Sequence, residues 1–143
     1  LPELKIRGVN VVELFNLESV HKHPHGLSDA EYDAIFTKDK PVIFAFHGYP
    51  TLIHELTYER HNHNISVHGY QEEGTITTPF DMRVQNQIDR FNLVKDAIMH
   101  LPQLGNKGSF LILKMIDMLL EHKQYIAEYG QDLEEIRNWE WHK

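Results

Sequence analysis

Histidine is the residue type in this chain that could take part in the most kinds of chemistry, and 11 of the 143 residues are histidines. His21, His23 and His25 alternate with Lys22 and Pro24 in a polar segment. Imidazoles at this spacing could place two ring nitrogens on one zinc, nickel or copper ion. A dedicated site would need a further ligand and supporting hydrogen-bond partners, and the sequence shows neither. A solvated polar loop is therefore the favoured interpretation, with a histidine-rich metal-binding module as the alternative.

A second set of polar side chains lies near the ends of two predicted strands. If these strands are parallel, their carboxyl ends share one edge of the sheet, where open α/β sheets usually bind ligands. We predict that this edge faces another domain or contacts an anion. Histidines that fasten turns by hydrogen bonds are the favoured alternative, because no nucleophile or acid stands at a defined spacing. The candidate residues are His47, Arg60, His61, His63, His68 and Tyr70.

Composition and missing motifs argue against several other functions. The chain has no cysteine, which excludes disulfides, zinc–thiolate sites and thiol nucleophiles. A formal net charge of −7 without a lysine–arginine cluster argues against nucleic-acid binding. The apolar runs are far shorter than the roughly 20 residues of a membrane span. Neither a GxGxxG nor a Walker-type phosphate loop follows any predicted strand, so a small α/β domain that binds an effector is an alternative without a motif.

Three strands are predicted to carry these residues. Residues 5–14 are branched and apolar enough for a buried strand. Residues 41–48 form a continuous apolar run between proline and glycine, which is typical of a central strand. Residues 65–68 form a third, and the alternation of strands with helices indicates a sheet with crossover helices.

Two short helices are predicted in the first half of the chain. Ser28 followed by Glu31 has the spacing of a capping box and begins the first helix. Thr51 is predicted to cap the second, which ends near Arg60.

Longer helices are predicted in the second half. Thr78 and the proline after it open a long helix through Leu101, with apolar residues every three or four positions. Ser109 is predicted to cap a second long helix, which Gly130 ends. A last helix over residues 133–139 is expected to dock through Ile136, Trp139 and Trp141. The length predicts one domain over residues 1–143.

Long blocks of the sequence resemble phosphoketolases. The blocks are LPELKIRGVNVVELFNL, PVIFAFHGYPTLIHELTYER and HNHNISVHGYQEEGTITTPFDMRVQNQIDRFNLVKDAI. The similarity runs over essentially the whole chain, and contiguous blocks of this length are far more specific than a short motif. The chain is similar to the C-terminal domain of that family.

The resemblance implies a fold and a parent enzyme. The fold would be an α/β three-layer αβα sandwich with a mixed, mostly parallel sheet of about five strands, like the transketolase C-terminal domain. The intact family enzyme is a cytoplasmic dimer that depends on thiamine diphosphate and magnesium. It uses phosphate to cleave xylulose 5-phosphate or fructose 6-phosphate, giving acetyl phosphate plus glyceraldehyde 3-phosphate or erythrose 4-phosphate.

The same resemblance implies a non-catalytic role for this chain. The family's cofactor and most of its catalytic residues belong to the N-terminal and middle domains, so no catalytic, cofactor-binding or metal-binding residue is assigned here. The chain is expected to be an inactive fragment of a longer enzyme. Its expected role is structural, in assembly of the homodimer, with a regulatory surface as a further option. Its expected partners are the N-terminal and middle domains of the same chain.

Overall fold

A computed structural model describes residues 6–72, 74 and 76–140. The chain divides after Tyr70 into two units, residues 1–70 and 71–143, each with its own elements. The single domain inferred from length stays a prediction. Within the described ranges, no helix is both long enough and apolar enough to cross a membrane.

The first unit is built on two parallel strands, β1 (Val42–Ala45) and β2 (Ile65–His68). Their register runs from Val42 opposite Ile65 to Ala45 opposite His68. The strands predicted over residues 41–48 and 65–68 are confirmed as β1 and β2, although β1 is shorter than the apolar run that contains it. Among the described residues the sheet has these two strands, so the larger sheet of about five strands is not confirmed.

Two short helices, α1 (Asp29–Phe36) and α2 (Pro50–Thr57), accompany the strands. The predicted capping box at the start of α1 is confirmed: the Glu31 amide donates to the Ser28 hydroxyl, and the Ser28 amide donates to the Glu31 carboxylate. This reciprocal pair satisfies two amides that would otherwise lack partners. It begins the helix where the sequence predicts.

The predicted cap of α2 is wrong. Helix α2 begins at Pro50, which follows Tyr49, and Thr51 lies inside its first turn. Proline has a helical φ and no amide hydrogen, so it favours a helix start at this position and removes one of the amides that would lack a partner. The helix also ends at Thr57, before Arg60, and the Thr57 hydroxyl donates to a carbonyl one turn back.

The core of the first unit combines residues of both helices, β1 and the segment before α1. Its buried members are Leu17, Tyr32, Phe36, Phe44 and Ile53. The rings of Tyr32 and Phe36 lie 4.5 Å apart, and those of Phe36 and Phe44 lie 5.8 Å apart. Each buried side chain of this size contributes about 2 kcal/mol of apolar burial, so this cluster holds β1 against α1.

The predicted strand over residues 5–14 is wrong in its described part, which begins at Ile6. Residues 6–13 have no regular secondary structure, and a short 3₁₀ helix follows at Leu14–Asn16. Val9 is 44% exposed and Val12 is 80% exposed. A buried strand needs a neighbouring strand and a cover for its side chains. Val11 and Leu14 pack against the core, but among the described residues no strand pairs with this segment.

The second unit is helical among its described residues. It contains α3 (Pro79–Gln85), α4 (Arg90–Met99), a 3₁₀ helix (Pro102–Leu104), α5 (Gly105–Tyr129) and α6 (Glu134–Arg137). Helix α4 packs against α5.

The predicted single helix from Thr78 to Leu101 is wrong, because the chain breaks between α3 and α4. Thr78 caps α3 as predicted, but Gln87 then adopts a positive φ of 56°. Asp89 caps the next helix: its carboxylate accepts from the amides of Phe91 at 2.9 Å and Asn92 at 3.1 Å. The apolar spacing continues across this break, which is why it resembles one helix.

Of the two predicted ends of α5, the first is wrong and the second is confirmed. The predicted cap at Ser109 is wrong, because the helix begins at Gly105 and Ser109 lies within it. The predicted end is confirmed: Gly130 has a φ of 66°, and its amide donates to the Ile126 carbonyl at 2.8 Å. Glycine adopts this left-handed conformation without the steric cost of a side chain. The last helix is confirmed as the four-residue α6, whereas Trp141 lies outside the described residues.

Substitutions of Asp89 and Ser109 test which of these two residues caps a helix. Asp89→Ala should lower the free energy of unfolding by about 1 kcal/mol, because two amides lose their acceptor. Ser109→Ala should be neutral within about 0.5 kcal/mol, because Ser109 caps nothing. Urea unfolding followed by circular dichroism measures both; a larger loss from Ser109→Ala would restore the cap that the sequence predicts.

Candidate functional site

The carboxyl ends of β1 and β2 adjoin as the sequence predicts. Beyond the strands, the Phe46 amide donates to the His68 carbonyl at 3.0 Å and the Tyr70 amide donates to the Gly48 carbonyl at 2.9 Å. A side chain at Gly69 would collide with that same Gly48 carbonyl, so the close approach requires glycine. His47 is exposed beside this end. The structure thus brings His47, His68 and Tyr70 to one edge of the sheet.

The other three candidate residues lie at the opposite end of β2. Arg60, His61 and His63 precede Ile65, the first residue of that strand. The strand separates its two ends by about 10 Å at 3.3 Å per residue. The six candidates therefore form two groups and do not share one edge.

Arg60 is the most constrained of the candidates. It is 2% exposed, and its guanidinium donates to the carbonyls of Leu17 at 2.9 Å, Glu18 at 2.7 Å and Leu27 at 3.0 Å. A fourth bond reaches the Asp29 carboxylate at 2.9 Å. These donors are used inside the first unit, so the guanidinium does not face an external anion.

The Arg60 guanidinium also lies over an aromatic ring. Its central carbon is 4.3 Å from the ring centroid of Tyr32. Burial raises the pKa of Tyr32 to about 12, against an opposing effect of the arginine charge. The phenol therefore stays neutral at physiological pH and packs as a core side chain.

His61 and His63 differ in their contacts. The His61 Nδ1 atom lies 3.0 Å from a carboxylate oxygen of Asp33. This hydrogen bond from His61, opposed by desolvation and assisted by nearby Lys38, lowers the pKa of Asp33. His63 is exposed. His61 thus fastens the segment before β2 to α1, which agrees with the simpler interpretation of the histidines.

The alternating histidines pack with an aromatic ring. The His23 ring stacks on Phe15 with centroids 4.9 Å apart, and the His25 amide donates to His23 Nδ1 at 3.3 Å. That nitrogen lone pair is therefore already in use. Across residues 6–72, 74 and 76–140, no group of three or more histidine, aspartate or glutamate side chains is arranged to hold a metal ion.

The second unit contains a feature that the sequence did not predict. A cleft of about 740 Å³ lies between the start of α3, the end of α5 and α6, and we call it the α3–α6 cleft. At one side of it the Asp132 carboxylate accepts hydrogen bonds from the Thr78 hydroxyl and the Phe80 amide. Thr78 and Asp132 are 54 positions apart, so no local spacing could have paired them.

A buried histidine lies behind Asp132. His122 is 1% exposed, and its Nε2 atom is 3.2 Å from an Asp132 oxygen without alignment for a hydrogen bond. Burial lowers the pKa of His122, although Asp132 acts in the opposite direction. The imidazole therefore favours its neutral form.

Comparison with known proteins gives one consistent family. The family model described as "XFP C-terminal domain" matches residues 1–141. The chain is 66% identical over 142 residues to a probable phosphoketolase of Clostridium acetobutylicum, covering 99% of this chain and 18% of that protein. It is 61% identical over 142 residues to a probable phosphoketolase of Rhodopirellula baltica, again with 99% and 18% coverage.

A relative with a more specific name is similar over the same region. The chain is 54% identical over 140 residues to a xylulose-5-phosphate phosphoketolase of Lactiplantibacillus pentosus, covering 98% of this chain and 18% of that protein. The chain therefore spans about 18% of the length of the curated relatives it matches.

The hydrogen bonds of Arg60 predict a large effect of a conservative substitution. Arg60→Lys should lower the free energy of unfolding by at least about 2 kcal/mol, because an ammonium group cannot reach all the buried carbonyls. His63→Ala, a change of an exposed residue in the same segment, should stay within about 0.5 kcal/mol. Urea unfolding of both variants is the measurement, and equal stability of the two would contradict the role given to Arg60.

Proposed function

Since this chain belongs to the phosphoketolase family, as its C-terminal domain, we propose that it is the non-catalytic part of a thiamine-diphosphate- and magnesium-dependent lyase. The parent enzyme would use phosphate to cleave xylulose 5-phosphate, fructose 6-phosphate or both, in the cytoplasm. The products would be acetyl phosphate and glyceraldehyde 3-phosphate or erythrose 4-phosphate. The observation that carries this proposal is the match of residues 1–141 to the family's C-terminal domain.

The contacts of the candidate residues support a non-catalytic role. Arg60 donates its hydrogen bonds to the backbone and to Asp29, and His61 pairs with Asp33. Groups engaged in this way hold the fold together and are not placed to exchange protons with a substrate. We therefore assign the cofactor and the catalytic residues to the N-terminal and middle domains of the parent enzyme.

The larger sheet that the family resemblance implies is also part of the proposal. Strands β1 and β2 are parallel and joined through α2, which is the repeating unit of an αβα sandwich. A sheet of about five strands would need strands in addition to these two.

Helix α5 supports a role in assembly. Three large apolar side chains are exposed on it: Phe110 by 72%, Leu113 by 54% and Leu120 by 56%. At about 100° per residue they lie within about 80° of one another around the helix axis. Exposed apolar side chains that form one contiguous patch are typical of an interaction surface. We assign this α5 row to the dimer interface of the parent enzyme.

An acetyl phosphate assay tests the proposed function. The full-length enzyme should form acetyl phosphate from xylulose 5-phosphate, phosphate, thiamine diphosphate and magnesium. The 143-residue chain alone should form none, because the assigned catalytic residues lie in other domains. Activity of the chain alone would overturn the non-catalytic role, and inactivity of both proteins with either sugar phosphate would overturn the proposed reaction.

The α5 row gives a separate test of assembly. In the full-length enzyme, Leu113→Gln and Leu120→Gln should each weaken the dimer about tenfold, since loss of a buried leucine contact costs at least about 1.4 kcal/mol. Lys114 lies about 40° from Phe110 around the same helix, but Lys114→Gln removes no apolar side chain, so it should change the dissociation constant less than about twofold. Sedimentation velocity over a concentration series measures the dissociation constants.

The outcome also bears on the histidines. If the leucine variants and Lys114→Gln give the same dissociation constant, the α5 row does not lie in the dimer interface. The combined variant His61→Ala, His63→Ala is measured in the same series, because those residues are two of the six domain-interface candidates of the first unit. Unchanged assembly in that variant would remove them from the proposal.

A further inference from the structure

We propose that the α3–α6 cleft binds a small organic anion, whose carboxylate or phosphate pairs with Arg83 and Arg137 while its carbon skeleton packs on Phe80, Ile126 and Ile136. All five residues line the cleft. This inference goes beyond the proposed function, because it concerns a ligand site in the second unit and needs no catalytic step.

The two arginines are the first support for an anion. Arg83 lies on α3 and Arg137 on α6, and both are exposed. Among the ion pairs and hydrogen bonds of the described residues, neither guanidinium has a carboxylate partner. The planar donor fork of arginine matches carboxylate and phosphate oxygens, so two unpaired guanidinium groups at one cleft favour an oxyanion.

Other cations of this unit, unlike the two arginines of the cleft, have partners among the described residues. Lys123 pairs with Asp81 at 2.9 Å, and Arg90 lies over the rings of Phe80 at 5.0 Å and Trp139 at 4.6 Å. These cations have partners within the unit. The two arginines of the cleft have no such partner in the described part of the chain, which leaves them for a ligand.

Asp132 is the acidic residue that lines the cleft, and its charge is partly compensated. Its oxygens accept from the Thr78 hydroxyl and the Phe80 amide, and His122 lies behind it. The cleft thus carries two cations and one engaged carboxylate, in a chain whose net charge is −7. Because the chain as a whole is acidic, the cleft would select an anion by contact with the two guanidinium groups and not by long-range attraction.

The size and walls of the cleft indicate a small ligand with an apolar part. Its volume of about 740 Å³ lies inside the usual range of small-molecule pockets, about 300–1,000 Å³. Phe80 is 8% exposed and fixed by edge-to-face packing on Phe91 and His122, so this wall is rigid. Aliphatic and aromatic walls with two cations fit an anion that carries a carbon skeleton better than a bare inorganic ion.

Isothermal titration calorimetry on the full-length enzyme tests the site. The probes are phenyl phosphate and benzoate, which share an apolar ring and differ in the oxyanion, with phenol as the neutral match. Arg83→Gln and Arg137→Gln are compared with Lys114→Gln, which removes one positive charge outside the cleft. Because both arginines are exposed, their variants should keep the melting temperature of the wild type.

The expected result is a specific loss of anion affinity. Each arginine variant should bind the preferred probe about tenfold more weakly than wild type, the loss of about one charge-assisted hydrogen bond. Lys114→Gln should stay within about twofold. Binding at the catalytic centre would be common to all variants and cannot produce this difference.

Three results would overturn the site. Arginine variants that bind both anions as tightly as Lys114→Gln would show that the cleft is not involved, and absence of binding by either anion at millimolar concentration would show that no such site exists. Phenol binding as tightly as the anions would likewise remove the role of the arginines. Since calorimetry does not depend on turnover, these outcomes are independent of the acetyl phosphate assay.

Discussion

The first unit depends on one buried guanidinium. Arg60 follows α2 and comes just before β2, and from there it bonds to the carbonyls of Leu17, Glu18 and Leu27. These three carbonyls bracket the histidine-containing loop, so a single side chain closes that loop and joins it to the sheet. A buried charge is tolerated only when its hydrogen bonds are satisfied, which makes the position of the loop and the position of β2 depend on each other.

The second unit uses a carboxylate in a comparable way. Asp132 follows the left-handed Gly130 at the end of α5 and accepts hydrogen bonds from Thr78 and Phe80 at the start of α3. The end of the long helix is thereby held to the beginning of a short one. The same contact forms one side of the α3–α6 cleft, so the stability of the helical unit and the shape of its cleft have a common origin.

Local chemistry made some elements predictable, and long-range contacts decided the rest. The capping box of Ser28, the proline after Thr78 and the glycine at residue 130 act within one helical turn, and each was found where the sequence predicted. The break at Gln87 was missed because the apolar spacing continues through it. The burial of Arg60 was missed because its partners lie more than 30 residues away in the sequence. The predicted site was also wrong in one respect: its candidate residues are close in sequence, but β2 places them at opposite ends of the strand.

Arginine shows why residue type alone does not locate a site. Arg60 satisfies its guanidinium with backbone carbonyls and one carboxylate, whereas Arg83 and Arg137 line a cleft with exposed guanidinium groups. An arginine can bind a ligand only if its N–H donors do not already form hydrogen bonds within the fold. The distinction between a structural and a ligand-binding cation therefore rests on which acceptors surround it, and on that criterion the cleft of the second unit is a better anion site than the histidine-rich ends of the sheet.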